Sequence, residues 1–245
     1  MTVRELQLLV KEGEHTTLEF KRKVAHPEKI VKEIVAFANT RGGNLLIGVN
    51  DDGNLTGLKF PDEDAYMLER EINRLCRPAI EYQREYIAIS DKKTIVRYFI
   101  PESSQKPHHV VETEVASTTE INNASQSLQN KKVNGQVKKS SSVAQLRKRA
   151  YFRVNDRSIQ ASRELREILR RQRKQRDIRF SWGEREQQLV QYLSEHQSIT
   201  VKEFARLAGI RPYQASRTLV LLVLGNVLKI IPAEIEDKFV MKENT

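Results

Sequence analysis

Arginine and lysine side chains that could bind phosphate are concentrated in one stretch of the chain. Residues 147–179 contain 13 Lys or Arg and 4 Asp or Glu, so this stretch holds +9 of the formal net charge of +10. A focused positive field of this kind attracts polyanions. The residues expected to contact phosphate are Arg166, Arg170, Arg171, Arg173 and Lys174. A solvated basic helix stays open as an alternative, and an anionic membrane surface is disfavoured because the stretch lacks aromatic anchors.

A second group of residues has the types that read base edges. Residues 212–224 have a helical apolar pattern, and polar side chains crowd its beginning. Arginine pairs with guanine edges and glutamine with adenine edges in the DNA major groove. The candidate reading residues are Arg211, Tyr213, Gln214, Ser216 and Arg217. The alternative is a helix that mediates protein contacts or dimerisation, which would make the protein a homo-oligomer.

The elements around this helix have a recognisable order. Residues 184–195 predict one helix, Thr200 begins a capping box with Glu203, and Gly209 ends the second helix. Two short β-prone runs, 227–231 and 238–241, follow the third helix. This order resembles the winged helix-turn-helix family over about 60 residues, in which the third helix enters a DNA groove. The predicted domain spans 182–245, and an arginine-rich linker helix at 166–181 precedes it.

The first part of the chain alternates helices and strands. Patterns of apolar residues predict helices at 3–11, from Pro27 to the Gly42-Gly43 pair, and at 62–76, and Ser162 can cap another. Strands are predicted at 15–23, 44–49, 55–60, 80–90, 93–100 and 150–155. The expected fold class is therefore α+β: a mixed α/β domain followed by a small winged-helix domain.

One segment inside the first domain has a different composition. Fifteen of the 26 residues from 117 to 142 are Ser, Thr, Asn or Gln, and none is aromatic. Such a segment buries too little apolar area to offset its ordering entropy. We predict a flexible polar insertion at about 112–146.

Several ordered motifs of the first 165 residues resemble a known family. The run EHTTLEFKRK, then EIVAFANTRGGNLLIGVNDDGNLTGL, and later AYFRVNDRS are similar to the AlbA-like domain of Schlafen proteins and of many bacterial regulators. Asn155 stands where the family commonly has glycine. The resemblance covers 1–165 and implies nucleic-acid binding. The same family has also been labelled a divergent AAA-type ATPase.

The resemblance also implies a carboxylate site. Vertebrate Schlafens have a metal-dependent endoribonuclease site whose carboxylates match Glu14, Glu19 and Asp51 here, with Lys21 beside them as a phosphate contact. Mg²⁺ and Mn²⁺ favour such oxygen ligands and can activate water at a phosphate. Asn50 stands where some members carry Asp, so the residue that faces the site is open among Asn50, Asp51 and Asp52. Alternatively, Glu14 and Glu19 are surface charges that pair with Lys21 or Arg22, and Asp51-Asp52-Gly53 is only a turn.

ATP chemistry is not expected. A phosphate-binding loop needs Gly-Lys-Ser/Thr between a strand and a helix, whereas Gly42-Gly43 follows a predicted helix and precedes a strand. A helix stop with a tight turn accounts for the pair. No cofactor is expected beyond Mg²⁺ or Mn²⁺ for the nuclease alternative.

Composition sets the remaining expectations. The chain has a single cysteine, Cys76, and no apolar window long enough for a membrane span, which predicts a cytoplasmic protein without membrane association. The leading functional hypothesis is a DNA-binding transcriptional regulator, with DNA favoured over RNA. The alternatives are the metal-dependent endoribonuclease and an interaction module that binds acidic protein.

Overall fold

The computed structural model describes residues 1–114, 145–173 and 182–242. Its helices are α1 (Val3–Val10), α2 (Pro27–Asn39), α3 (Pro61–Leu75), α4 (Arg163–Gln172), α5 (Glu184–Glu195), α6 (Val201–Leu207) and α7 (Pro212–Leu224). Its first strands are β1 (Leu18–Lys21), β2 (Gly43–Ile47), β3 (Cys76–Arg77), β4 (Gln83–Ser90), β5 (Lys93–Ile100) and β6 (His109–Glu114). The later strands are β7 (Gln145–Arg149), β8 (Tyr151–Val154), β9 (Arg157–Gln160), β10 (Leu228–Ile231) and β11 (Lys238–Met241).

A four-stranded sheet in the order β1-β2-β5-β4 forms the centre of the first part. The pair β1–β2 is parallel, with α2 as its crossover, and the other pairs are antiparallel. Side chains alternate across β2, so Leu45 and Ile47 pack toward α2 and α3 while Leu46 packs with Leu6 of α1. The central sheet is therefore buried on both faces.

Shorter strands complete the first part beside α2. Strands β3, β6 and β7 form one small sheet, and β8 with β9 forms a hairpin. The buried amide of Asn39 at the end of α2 donates to the backbone oxygens of His108, at 2.9 Å, and Tyr151, at 3.0 Å. It also accepts from His108 N at 2.7 Å. One side chain thus fixes the start of β6 and the start of β8 against α2.

Helices α5, α6 and α7 and the β10–β11 hairpin form the C-terminal part. Ala215, Leu219 and Leu222 of α7 are buried with Phe204 of α6 and Phe239 of β11. Ile199, just before α6, makes an antiparallel bridge to Phe239. The predicted Thr200–Glu203 capping box is present.

Helix α4 packs against both parts. Leu165 and Leu169 pack with Ala150 and Ala161 of the first part. Ile168 belongs to the C-terminal core cluster. The helix begins at Ser162, whose side chain accepts from Leu165 N at 3.0 Å as predicted.

The α+β class is confirmed, and most predicted elements lie within a few residues of the observed ones. The strand predicted at 55–60 is wrong: Leu55 and Leu58 make only single bridges, because the chain turns at Gly57 with a φ of +60°. Strands β3, β6, β7 and β9 were not predicted. Most of the predicted polar insertion and the linker beyond residue 173 lie outside the described residues. Over the ranges that are described, no helix is long and apolar enough to cross a membrane.

Candidate nucleic-acid interface

A groove runs between α4 and α7, and arginine side chains dominate its lining. Its cavity volume is about 640 Å³. We call it the arginine groove, and its lining is Pro107, His109, Arg163, Glu164, Arg166, Glu167, Arg170, Arg171, Tyr213, Ser216, Arg217 and Val220. Five arginines face two glutamates, so the lining carries an excess of positive charge.

The helical period places the α4 arginines along one face. Arg163, Arg166 and Arg170 follow one another at a spacing of three or four, while Leu165, Ile168 and Leu169 are buried on the opposite side. Arg170 donates to Glu167 with Nε at 3.0 Å and Nη2 at 2.8 Å. Exposed ion pairs of this kind are worth less than about 1 kcal/mol, so these guanidinium groups can exchange the carboxylate for a phosphate.

Two of the predicted base-reading residues, Tyr213 and Ser216, lie on the side of α7 that faces α4, although Tyr213 is largely exposed. Ser216 Oγ donates to Glu164 Oε1 at 2.6 Å. The guanidinium carbon of Arg163 lies 5.8 Å from the centre of the Tyr213 ring. The face of α7 that carries Tyr213, Ser216 and Val220 is thus one wall of the arginine groove.

The other predicted reading residues lie at or near the exposed beginning of α7. Arg211 is the N-terminal cap residue, and its backbone N–H donates to Gln214 Oε1 at 3.2 Å. Arg217 is exposed and also lines the arginine groove. The structure therefore joins Arg166, Arg170, Arg171 and Arg217 into one surface, and leaves Arg211 and Gln214 at its edge.

Two further predicted phosphate contacts, Arg173 and Lys174, lie at and beyond the end of α4. Arg173 is the C-terminal cap residue of α4 and is exposed. Lys174, the last of the predicted phosphate contacts, lies outside the described residues. Arg173 is not among the described residues that line the arginine groove.

His109 adds a titratable group to the arginine groove. Burial lowers the pKa of His109, and the positive charges of Arg166 and Lys148 lower it further, against a hydrogen bond with the backbone of Arg77. The imidazole is therefore biased toward its neutral form in the free protein. A phosphate in the groove would favour the imidazolium.

The predicted carboxylate site lies at the edge formed by β1 and β2. Because Leu18 and Phe20 pack toward α1, Glu19 and Lys21 share the opposite face of β1, as predicted. Glu14 Oε1 accepts from Phe20 N at 2.8 Å. Burial raises the pKa of Glu14, and the charges of Glu19 and Asp51 add to the rise. The charges of Glu19, Lys21 and Asp51 therefore all act on the Glu14 carboxyl group.

The Glu19 carboxylate is occupied by protein cations. Arg153 Nη1 donates to Glu19 Oε2 and to Glu33 Oε2, both at 2.8 Å, and Nη2 donates to His15 O at 2.8 Å. Lys21 Nζ donates to the other Glu19 oxygen. The Glu19 residue is only 5% exposed, so it is not a surface charge.

These residues do not fit a divalent cation. In the part of the chain that the structure covers, no three His, Cys, Asp or Glu side chains are grouped so that they could hold a metal ion. The strongest candidate ligand, Glu19, is neutralised by a guanidinium and an ammonium.

The three candidates after β2 have separate environments. Asp52 closes the turn, since its two oxygens accept from Asn54 N at 3.0 Å and Asn54 Nδ2 at 2.6 Å. Asp51 is exposed. Asn50 Oδ1 is buried and has no hydrogen-bond partner among the described groups. Of the three, Asp51 is the residue whose charge acts on Glu14.

The glycine pair packs against its own chain. A Cβ at Gly42 would meet Ile100 O at 2.5 Å, and one at Gly43 would meet the Phe37 ring at 2.5 Å. Gly42 also has a φ of +73°, which favours glycine. The backbone here is turned toward β5 and α2, as a helix stop requires.

Sequence reasoning missed three contributors to these sites. From the sequence, Arg153 is predicted only to lie in a strand. It lies two positions after Tyr151 and therefore on the same, inward face, and a buried arginine needs a partner. Arg163 precedes the predicted basic set by one helical turn. His109 gave no local signal, because only the packing of β6 beside α4 brings it to the arginine groove.

Together the fold and the arginine groove define an α+β protein with a basic surface shared between two parts of the chain. The chain belongs to the Schlafen AlbA_2 family, whose model matches residues 14–162 and thus more than half of the sequence. Membership of this family indicates a function connected with nucleic acids.

Solved structures that match the fold are distant. The N-terminal domain of a Nitrosomonas europaea protein described as related to the ATP-dependent DNA helicase RecG is 19% identical, with a TM-score of 0.38; the match covers 57% of this chain and 93% of that one. The DIP2311 protein of Corynebacterium diphtheriae is 15% identical, with a TM-score of 0.39, over 66% of this chain and 26% of that one.

Proposed function

We propose that this protein binds DNA through the arginine groove and acts as a transcriptional regulator. The main support is that the groove lies between α4 and α7 and that both helices contribute to its five arginines. Guanidinium groups bind phosphate oxygens with two parallel hydrogen bonds, which makes such a lining suited to a nucleic-acid backbone. Family membership supports the same class of partner.

The architecture of the C-terminal part supports DNA over other polyanions. We propose that residues 182–245 form a winged helix-turn-helix domain, attached by an arginine-rich linker helix at 166–181 to an AlbA-like domain at 1–165. Three helices followed by an antiparallel hairpin, with Ile199 bridged to Phe239, have the order of that family. Helix α7 then holds the position of a recognition helix.

We propose that different parts of α7 serve phosphate contacts and base contacts. The face with Tyr213 and Ser216 contacts α4. The arginines of the groove between these two helices are then available to phosphates. Arg211 and Gln214 lie at the exposed end of the helix, where they can reach base edges. Contacts to phosphate fix the orientation, and contacts to bases supply the sequence preference.

The binding experiment uses fluorescence anisotropy with duplex DNA across salt concentrations. The Arg166→Gln/Arg170→Gln/Arg171→Gln variant should bind more weakly and with a flatter salt dependence, because the logarithmic slope is about −0.9 per phosphate neutralised. A matched control removes three exposed cations elsewhere, Arg4→Gln/Lys11→Gln/Lys29→Gln. Equal affinity of the two triple variants would overturn the groove as the phosphate contact.

Sequence preference is tested separately by binding-site selection. Arg211→Ala and Gln214→Ala should change the selected motif more than general affinity, since a good base contact supplies about 1–3 kcal/mol of discrimination. Retention of the wild-type motif at wild-type strength by both variants would exclude α7 as the reader.

Substitution of Glu19 is not a clean test of the endoribonuclease alternative. Glu19→Gln would remove a negative charge that a hard cation needs. In the structure Glu19 is a buried partner of Arg153, so the same substitution also removes a charge that stabilises the fold. RNA cleavage by this protein therefore has to be tested through the exposed Asp51, with Asp51→Asn compared with wild type in Mn²⁺.

A further inference from the structure

A second basic pocket lies where the parallel strands β1 and β2 end. Its cavity volume is about 270 Å³. We call it the β1-end pocket, and its lining includes Phe60, the cations Arg22, Lys23, Lys59 and Lys93, and the carboxylates Glu63 and Asp64. It shares no residue with the arginine groove. Loops beyond the carboxyl ends of parallel strands are a common position for ligands.

The charges of the β1-end pocket are poorly compensated. Four cations face two carboxylates, and Asp64 already accepts from Val24 N at 2.7 Å. In the described ranges, Arg22, Lys23 and Lys59 have no carboxylate within ion-pair distance. Lys93 Nζ donates to the Gly57 carbonyl at 3.3 Å. Gathered cations without partners repel one another, which an anionic ligand would relieve.

An aromatic ring stands beside these cations. Phe60 is 55% exposed at the beginning of α3, with Lys59 Nζ 5.2 Å from the ring centre. The ring therefore offers an apolar face that is open to a ligand and lies beside a lysine. Nucleobases stack on such rings while their phosphates contact nearby cations.

We propose that the β1-end pocket binds single-stranded nucleic acid, with a base stacked on Phe60 and the flanking phosphates held by Arg22, Lys23 and Lys59. A polyanion without bases would use the cations and leave the ring exposed, so the juxtaposition of Phe60 with the cations selects a nucleic acid. The proposal rests on the proposed function only for the class of ligand, because the arginine groove takes no part in it.

The test measures anisotropy of a labelled oligothymidylate and a labelled oligouridylate of about ten nucleotides, within the site size of one binding domain. Phe60→Ala should weaken binding by about 5- to 100-fold, and Phe60→Tyr should retain it, since a stacked base is lost only in the first. Arg22→Gln/Lys23→Gln should also weaken binding and flatten its salt dependence. The control Arg4→Gln/Lys29→Gln removes two exposed charges elsewhere and should bind as wild type does.

Two further arms separate this site from the arginine groove. The groove triple variant should keep most of its single-strand affinity, and Phe60→Ala should keep duplex affinity. Loss of single-strand binding in the groove variant, with none in Phe60→Ala, would place all binding in the groove and overturn the proposal. Absence of single-strand binding by wild type, or equal competition by poly-glutamate of matched charge, would overturn it as well.

Discussion

Ser216 Oγ lies 2.6 Å from Glu164 Oε1, and this hydrogen bond joins α7 of the C-terminal part to α4. It is one of the contacts that hold α7 against α4. It also places one of the two glutamates of the arginine groove beside α7. Glu164 therefore has two effects of opposite sign: it holds α7 in place, and it weakens the attraction of the groove for phosphate.

Glu164→Gln is expected to strengthen duplex binding by up to about fivefold at low salt. The amide oxygen can still accept from Ser216, while the loss of one charge removes a repulsion of about 1 kcal/mol at contact distance in water. Anisotropy at several salt concentrations measures this. Glu195→Gln, an exposed site at the end of α5, is the charge-matched control, and an equal gain in that variant would show that only net charge matters.

Arg153→Met is expected to lower the free energy of unfolding by about 3–5 kcal/mol, because it leaves buried Glu19 without its guanidinium. Urea denaturation measures the loss. Adding Glu19→Gln should recover part of the stability, since the uncompensated buried charge is then gone. No recovery in the double variant would mean that the packing of Arg153 on Phe37, 4.9 Å from the ring centre, dominates its role.

Stability should fall as the pH drops below about 6.5, the ordinary pKa of histidine. Burial lowers the pKa of His108, and the charges of Arg173 and Lys106 lower it further. The unfolded state then binds protons more readily than the folded state, so stability is complete above the unfolded pKa and is lost as pH falls toward the folded one. Urea midpoints at pH 7.5 and pH 5.5 measure the effect.

His108→Asn is the comparison for this pH dependence. The imidazole contacts Pro78 O at 3.0 Å and Ser103 Oγ at 2.6 Å, so the variant should be less stable at every pH. Its midpoint should nevertheless depend less on pH than that of wild type. An unchanged pH dependence would assign the effect to His109, whose pKa is lowered in the same direction.

Gly42→Ala is expected to destabilise the protein more than Gly13→Ala does. Both glycines have a φ above +70°, but a Cβ at Gly42 would meet Ile100 O at 2.5 Å, whereas one at Gly13 meets nothing within 4 Å. The difference in melting temperature isolates the crowding.

Calorimetric titration of wild type with ATP should show no micromolar binding. Stoichiometric binding that Gly42→Ala abolishes in a folded protein would contradict our interpretation of this turn.

Local patterns in the sequence determined most helices, the caps at Ser162 and Thr200, the β4–β5 hairpin and the concentration of positive charge. Each depends on neighbours within a few residues, through the helical period, the alternation of a strand or a capping hydrogen bond. The motifs of the first 165 residues likewise sufficed to identify the family. The strand expected at 55–60 failed because a positive φ at Gly57 interrupts it.

Only the tertiary structure decided what the functional side chains contact. Arg153 and Glu19 are 134 positions apart, and only the fold shows that this predicted metal ligand is buried and paired with an arginine. The arginine groove brings Pro107 and His109 beside α4 and α7 in the same way. Which face of α7 is covered depends on how the C-terminal core packs on Ile168, and periodicity within one helix carries no information about the partner that another part of the chain supplies.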